Sequence, residues 1–268
     1  MPNSVISLWR QQAERPPASA LEQAYKRHFR TVVADTPALQ DIAHRLRYRI
    51  YCLENQGYEN PEQHLDGRES DDYDHRSIHT LVQHKDSGDY IGVIRVVLPD
   101  KTAAAADFPF QRIIDSPRIH HMAAGRDYCE ISRLGIVQDF RSHSNGAYKN
   151  HIEGLPISSY VMLGLVHGAL RTSLENKVRN AFFIVEPKLV RALSIMGLSK
   201  HEVLGEPVDY HGLRQPFAFN YLENFRALQD HNRSLWSFIT DHGTLHKLAL
   251  RIEYPAQGRP QTYRLAGN

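Results

Sequence analysis

Charged side chains interrupt an apolar, β-branched segment near the middle of the chain, residues 128–137. The isoleucine, leucine and valine residues of this segment predict a buried strand. Glu130, Ser132 and Arg133 lie within it, and burying a charge is costly unless the charge is paired or used in chemistry. A glutamate in this position can accept a proton as a general base. We therefore predict that Glu130, Ser132 and Arg133 are catalytic residues at the centre of an active site.

The direction of the Arg133 side chain depends on the regularity of this strand. On a regular strand Glu130 and Ser132 share one face, while Arg133 points to the opposite face. Strands beside active sites often carry a bulge that redirects a side chain. The sequence leaves two arrangements open, in which the strand is bulged or Arg133 serves the opposite surface.

A polar turn follows the strand at residues 138–146 and precedes a long helical pattern. The backbone N–H groups at the start of a helix and in the turn before it bind phosphate well. The sequence therefore predicts a phosphate site in this turn, formed by Arg141, Ser142, Ser144 and Gly146.

Composition excludes several classes of protein. The chain has 268 residues, enough for one large domain or one and a half. Its net charge of +2 is too small to indicate a nucleic-acid partner, and no compact run of Lys and Arg supports one. No apolar segment reaches the roughly 18 residues of a membrane span. The N-terminus lacks a secretory signal, so the cytoplasm is the expected compartment.

Cysteine and histidine usage does not indicate a metal centre. Cys52 and Cys129 lie far apart and without metal-ligand spacing, which disfavours a disulfide framework or a zinc site. Cys129 is predicted to be a small buried residue. The 16 histidines form no ligand motif such as H-E-x-x-H, and we expect no metal.

Periodicity and turn signals predict one α/β-type sandwich, with helices packed on a mixed sheet. The predicted helices span residues 21–29, 36–53, 103–114, 156–176, 188–196 and 222–241. The predicted strands span residues 78–83, 90–98, 128–137, 181–185, 202–206 and 213–221. Residues 54–77 form a long, acidic predicted loop, and such loops are usually functional or disordered. Residues 1–35 are predicted as an N-terminal arm, 36–221 as the main domain and 222–268 as a helical extension packed on that domain.

Four short motifs occur in a characteristic order between residues 36 and 220. They are Arg47 with Tyr51 four residues later, Glu-x-Asp-x-x-Asp at 69–74, Gly-Val-Ile-Arg at 92–95 and Glu-Ile-Ser-Arg at 130–133. This order and spacing resembles the acyl-homoserine-lactone (autoinducer) synthases and the long-chain N-acyl amino acid synthases. The run at 47–54 is most similar to the PEP-CTERM/exosortase-associated acyltransferases of that group.

The resemblance implies a GNAT-like α/β (α+β) fold, a mixed central sheet with a splayed or bulged central strand. It also implies transfer of a long-chain fatty acyl group from acyl carrier protein to the amine of an amino acid, with acyl-CoA as the less favoured donor and no permanently bound cofactor. The predicted substrate-binding residues are Arg47, Tyr51, Asp71, Asp74 and Arg95. The fatty acyl product would also bring the protein into peripheral contact with a membrane.

Acyl transfer from a thioester assigns roles to these residues. Glu130 would accept the amine proton, and backbone N–H groups freed by a splayed strand would stabilise the oxyanion. The turn with Arg141 would hold the phosphate of the pantetheine arm. The charged residues of the loop, helix and strands would form an ion-pair network that folds the loop over the central strand and binds the amine and carboxylate of the acceptor.

A basic N-terminal surface offers a docking site for the acidic carrier protein, although such residues are usually a solvated face. Its members are Arg10, Arg15, Lys26, Arg27 and Arg30.

Two departures from the autoinducer synthases favour the amino acid branch. Leu134 stands where those synthases usually carry Phe, and Gly57 and Tyr58 stand where a Trp is expected. The alternatives are an acyl-homoserine-lactone synthase that uses S-adenosylmethionine, and a non-catalytic lipid-binding or sensor module. The presence of Glu130 argues against the latter.

Overall fold

The structure, a computed structural model, describes residues 19–55, 58–100, 107–141, 151–195 and 197–255. Its strands are β1 (Phe29–Val33), β2 (Ser77–His84), β3 (Tyr90–Val97), β4 (Tyr128–Ile136), β5 (His151–Ile152), β6 (Leu155–Pro156), β7 (Asn180–Val185), β8 (His201–Val203), β9 (Val208–Asp209) and β10 (Leu213–Asn220). Its α-helices are α1 (Ala20–His28), α2 (Pro37–Tyr48), α3 (Pro117–Ala124), α4 (Ile157–Glu175), α5 (Pro187–Ile195), α6 (Tyr221–His231), α7 (Arg233–Ile239) and α8 (Thr244–Glu253).

Eight strands form the main sheet in the order β1-β2-β3-β4-β7-β10-β8, with β9 paired to β10. The pair β4–β7 is parallel, and the other neighbours in the sheet are antiparallel. The sheet is flanked by helices, and this confirms the predicted mixed sheet.

The central strand β4 is both bulged and splayed. Val93 and Arg95 of β3 pair with Gly135 and Ser132 of β4. One residue, Ile94, lies between the two pairs on β3, whereas Arg133 and Leu134 lie between them on β4. Arg133 adopts φ 51°, the left-handed region that non-glycine residues rarely occupy. On its other side, β4 pairs with β7 over three residues and the ladder ends at Glu130, opposite Phe182. Of the two arrangements left open by the sequence, the structure has the bulge.

The sheet is buried on both faces. On one face Val161, Leu165 and Leu174 of α4 join a core that also includes Phe225 and Ile239 of the C-terminal helices. On the other face, a smaller apolar cluster includes Phe108, Phe110, Ile119 and Phe182. The C-terminal helices therefore share this core with α4.

Several elements differ from the sequence prediction. The helix predicted at 103–114 is wrong over its described part, where Pro109–Arg112 is a single 3₁₀ turn. The α-helix begins instead at Pro117, because proline suits the first turn of a helix. The helix predicted at 222–241 is interrupted at Asn232, whose side chain caps α7.

Part of the predicted N-terminal arm belongs to the sheet. Residues 29–33 form edge strand β1, and Ala24, Tyr25 and Phe29 are buried in the main core. Residues 1–18 lie outside the described residues. In the described part of the chain, no helix has both the length and the apolarity needed to cross a membrane.

We predict that Gly168→Ala destabilises the fold, because α4 lies very close to the sheet there. A Cβ at Gly168 would lie 2.3 Å from Cγ2 of Thr80 and 3.1 Å from Cγ2 of Thr31. Overpacking of this kind lowers the free energy of unfolding by about 1–3 kcal/mol, although Ala alone favours a helix by about 1 kcal/mol over Gly. Urea denaturation measures the change.

Gly205→Ala is the matched control, because a Cβ at Gly205 meets no heavy atom within 4 Å. A Gly168→Ala variant that is more stable than the wild type by the full gain of about 1 kcal/mol expected for Ala in a helix would contradict the close packing.

Candidate active site

Glu130 lies on β4 with its side chain turned into the smaller apolar cluster, and it is 4% exposed. Its Oε2 accepts a hydrogen bond from the backbone N–H of Phe110 at 2.9 Å. Burial raises the pKa of the Glu130 carboxyl, against the opposing effects of this hydrogen bond and of the Arg95 and Arg133 charges. A carboxyl with a raised pKa is a stronger proton acceptor when it is ionised, as a general base requires.

Ser132 joins the central strand to the charged residues behind it. Its Oγ accepts a hydrogen bond from Nε of Arg95 at 3.1 Å. Ser132 and Glu130 share one face of β4, as the sequence predicts. The serine hydroxyl therefore links β4 to Arg95 on β3.

The bulge in β4 brings the Arg133 guanidinium to the acidic loop at residues 54–77. Its Nη2 donates to Oε1 of Glu59 at 2.9 Å and to Oε1 of Glu69 at 3.0 Å. The guanidinium also lies 5.5 Å from the ring centroid of Tyr51. The predicted folding of this loop over the central strand is confirmed.

A buried ion-pair network extends from Arg133 to α2 and β3. Arg47 donates from Nε to Glu69 and from Nη1 to Oδ1 of Asp74, both at 2.6 Å. Arg95 donates from Nη1 to both carboxylate oxygens of Asp71, at 2.7 and 2.8 Å. It also reaches Oδ1 of Asp74 at 3.1 Å. Arg47 and Arg95 have no exposed side-chain surface, so the network fixes the loop to the helix and the strand.

The guanidinium groups hold the network carboxylates in their ionised form. Burial alone would raise the pKa of Glu69, but the charges of Arg47 and Arg133 lower it to about 2. Burial opposes ionisation of Asp74 as well, yet hydrogen bonding to His79 and the charge of Arg47 lower its pKa well below the usual range.

A cavity of about 1120 Å³ runs through the gap between β4 and β7. Tyr51, Asp71, Glu130, Ser132 and Arg133 line it, which brings these five predicted site residues together. Its remaining wall is largely apolar. This wall includes Met162, Val166 and Leu170 of α4, Phe183 of β7, and Leu189 and Leu193 of α5.

The other predicted substrate-binding residues, Arg47, Asp74 and Arg95, do not line the cavity. They lie behind its wall, where their charges position Asp71 and Glu69. The structure therefore separates residues that can touch a substrate from residues that support them.

The predicted phosphate turn is described only at its start. Arg141 lines the cavity; its Nε donates to the carbonyl oxygen of Ile136 at 2.8 Å, and its Nη2 lies 3.6 Å from Oε2 of Glu54. Ser142, Ser144 and Gly146 lie outside the described residues, so their predicted role remains a prediction.

Sequence reasoning missed Glu59 and Glu69 as partners of Arg133, and it missed Phe110 and Arg112 in the cavity wall. Glu69 is the first residue of the Glu-x-Asp-x-x-Asp motif, and its place in that motif could have identified it as a buried partner of an arginine. Phe110 and Arg112 were placed in a predicted helix, which hid the turn that brings them to Glu130.

His44, Asp74 and His79 are the described residues whose ligand atoms cluster as metal ligands would, within 4.8 Å of one another. However, Nη1 of Arg47 lies 2.8 Å from Nε2 of His79, and Asp74 is already ion-paired with Arg47 and Arg95. A metal ion here would have to displace guanidinium groups, so this donor set fits the ion-pair network better than a metal site.

We predict that Glu69→Gln lowers the free energy of unfolding by about 3–5 kcal/mol, because it removes the carboxylate charge that buried Arg47 and Arg133 share. Asp66→Asn is the control, since Asp66 forms an exposed ion pair with Arg68 and should change stability little. The effect should depend on pH. Since the folded pKa of Glu69, about 2, is below the ordinary value of 4.5, its stabilisation is present above about pH 4.5 and is lost as the pH falls towards 2.

Chemical denaturation of both variants at pH 7 and at lower pH measures these changes. A Glu69→Gln variant as stable as Asp66→Asn at pH 7 would show that the network contributes little to the fold.

Comparisons with known proteins agree with this geometry. Residues 46–148 match the family model described as the acetyltransferase (GNAT) domain. No curated protein sequence matches the chain. Among solved structures, FeeM, an N-acyl amino acid synthase from uncultured soil microbes, is 14% identical with a TM-score of 0.54, over 76% of this chain and 96% of that one.

Two further structures are similar. TofI, solved with an inhibitor and MTA, is 17% identical with a TM-score of 0.53, over 75% of this chain and 96% of its own. BjaI, a CoA-dependent acyl-homoserine lactone synthase solved with SAM and isopentyl-CoA, is 19% identical with a TM-score of 0.50, over 76% and 88%. We conclude that this chain has the fold of the GNAT acetyltransferases.

Proposed function

We propose that the protein is an N-acyltransferase that moves a long-chain fatty acyl group from a pantetheine thioester to the amine of an amino acid. The observation that carries this proposal is the cavity that passes between β4 and β7. It places Glu130 and Asp71 in the same space as a long apolar wall. Such a space accommodates a charged acceptor and a hydrocarbon chain together.

Glu130 acts on the acceptor amine. An amino acid enters as an ammonium ion, which must lose a proton before its nitrogen can attack. Glu130 takes that proton directly or through a water molecule, and its raised pKa suits this role near neutral pH. The carboxylate of Asp71, 29% exposed at its side chain, attracts the ammonium group to the same end of the cavity.

The splayed strand acts on the thioester. The amine nitrogen forms a bond to the carbonyl carbon, and negative charge develops on the carbonyl oxygen. Beyond Glu130, β4 has no ladder partner on the β7 side among the described residues, so backbone N–H groups there are available to donate to this oxygen. The carbon–sulfur bond then breaks as the attacking nitrogen loses a second proton. The thiolate takes up this second proton, and Glu130 releases the first one to solvent.

The apolar wall holds the acyl chain. Met162, Val166 and Leu170 of α4 line the cavity together with Phe183 of β7. Removing a hydrocarbon chain from water contributes about 0.8 kcal/mol per buried CH₂, so a long chain is favoured over an acetyl group.

Acyl carrier protein is the proposed donor, because its acidic surface complements a basic one near the N-terminus. In the described part of that surface, Lys26 lies beside Glu22 and Arg27 beside Glu153, while Arg30 donates to Gln83. Arg10 and Arg15 lie outside the described residues.

The test supplies purified protein with dodecanoyl-acyl carrier protein or dodecanoyl-CoA, and with either a mixture of amino acids or S-adenosylmethionine. We expect N-acyl amino acids by mass spectrometry, a higher kcat/KM with the carrier protein, and a decline of that kcat/KM as salt screens the docking charges.

Other outcomes assign the protein differently. A lactone made from S-adenosylmethionine, with no product from amino acids, would identify an acyl-homoserine-lactone synthase. Faster transfer from the CoA thioester, without salt dependence, would contradict the carrier protein as donor. Binding of the acyl chain without any product would identify a lipid-binding module.

We predict that Glu130→Gln lowers turnover by about 10²–10⁴-fold, because an amide cannot take the amine proton. The isosteric Gln keeps an acceptor for the Phe110 N–H. In the wild type, kcat/KM should fall as the pH drops through an apparent pKa above 4.5, the ordinary value for glutamate. The control is Glu202→Gln, an exposed residue paired with Arg118 and outside the cavity wall.

Unchanged turnover in Glu130→Gln, measured with the best donor and acceptor, would show that Glu130 is not the base. If the residual activity of Glu130→Gln shows the same fall of kcat/KM at low pH as the wild type, the ionising group is a residue other than Glu130.

A further inference from the structure

We propose that Arg112 binds the carboxylate of the amino acid acceptor, so that the enzyme selects free amino acids over their uncharged amides. The inference rests on the acyl transfer proposed above and deepens it. Arg112 ends the 3₁₀ turn Pro109–Arg112 and lines the same cavity as Glu130.

The ion-pair network attracts the amine of an acceptor rather than its carboxylate. Its three guanidinium groups are those of Arg47, Arg95 and Arg133. Its four carboxylates are those of Glu59, Glu69, Asp71 and Asp74. With the carboxylates in excess, and with Glu130 beside them, this end of the cavity repels a further negative charge.

The arginines of the network are also occupied. Each donates to carboxylates of this chain. Nη2 of Arg47 and Nη2 of Arg95 are buried and have no hydrogen-bond partner. Neither residue lines the cavity, so neither can receive a carboxylate without opening the network.

Arg112 is different from every other lysine and arginine in the described cavity wall. Arg133 is paired with Glu69, and Arg141 lies beside Glu54. Lys188 and Arg214 both lie beside Glu186. No carboxylate of the described residues forms an ion pair with Arg112. Its guanidinium instead lies 4.8 Å from the ring centroid of Tyr73, a contact that orients the charge without neutralising it.

The turn that carries Arg112 is bonded to the proposed base. Phe110, two residues before Arg112, donates its backbone N–H to Glu130. The amine and carboxylate of an α-amino acid are attached to the same carbon, so a carboxylate receptor must lie near the base. A guanidinium fork is suited to this task because it can donate two parallel hydrogen bonds to one carboxylate.

The test measures binding and needs no turnover. Isothermal titration calorimetry compares N-dodecanoylglycine, which has the carboxylate, with N-dodecanoylglycinamide, which lacks it. We expect the wild type to bind the acid about ten- to a hundredfold more tightly than the amide, the range of a charge-assisted hydrogen bond. Arg112→Gln should lose this preference while its affinity for the amide stays within about twofold.

Arg118→Gln is the matched control. It removes one exposed arginine on the neighbouring helix α3, paired with Glu202 and outside the cavity wall. We expect it to keep the preference for the acid, and Arg112→Lys to keep part of it, because the charge remains and the fork is lost. Because Arg112 is exposed, the thermal unfolding of its variants should match that of the wild type.

The inference is overturned if the wild type binds neither probe or binds both equally. It is also overturned if Arg112→Gln keeps the preference, or if Arg118→Gln removes it as well. Failure of the proposed function is a separate result. A protein that binds the acid through Arg112 but transfers no acyl group would retain the carboxylate site and lose the proposed reaction. If the wild type transfers the acyl group, and Arg112→Gln still prefers the acid as strongly as the wild type does, the proposed reaction is retained and the carboxylate site at Arg112 is rejected.

Discussion

The parting of two parallel strands is the constraint on which the rest of the structure depends. β4 and β7 pair as far as Glu130 and Phe182 and then separate. The separation creates a cavity inside a sheet that is otherwise continuous. Among the described residues, it also leaves one edge of β4 unpaired beyond Glu130. Unpaired backbone groups are costly when they are buried, so such an opening is expected where a substrate takes the place of the missing strand contacts.

Charged side chains must also lie in this opening without destabilising the fold. Buried arginines are tolerated when each has well-placed carboxylate partners, and the acidic loop supplies these partners to α2, β3 and β4. In its described part the loop has only short 3₁₀ turns, at Pro61–Gln63 and Asp74–Arg76, so ion pairs rather than regular structure hold it in place. Glu69, which contacts both Arg47 and Arg133, joins the two ends of this arrangement.

The sequence was informative where the signal is local and periodic. Helix α4, the hairpin of β2 and β3, and the central strand follow from apolar spacing and turn residues. Strand β1 was missed because it follows α1 directly, with no turn residue between Phe29 and His28. The site was predictable at Glu130 and Ser132, which stand out as polar residues in an apolar strand. Arg112 was not, because its place in the cavity depends on a hydrogen bond between Phe110 and Glu130, twenty positions apart in the chain.

The left-handed backbone of Arg133 implies a compromise between stability and activity at the centre of the fold. At φ 51°, glycine would relieve a strain of about 1–3 kcal/mol. The chain nevertheless has an arginine there, whose side chain reaches Glu59, Glu69 and the ring of Tyr51. Selection for thermal stability alone would be expected to replace Arg133 with a residue that suits this backbone geometry. Selection for function would be expected to retain the arginine. The strained residue is therefore a place where stabilising the protein and improving the enzyme are opposing aims.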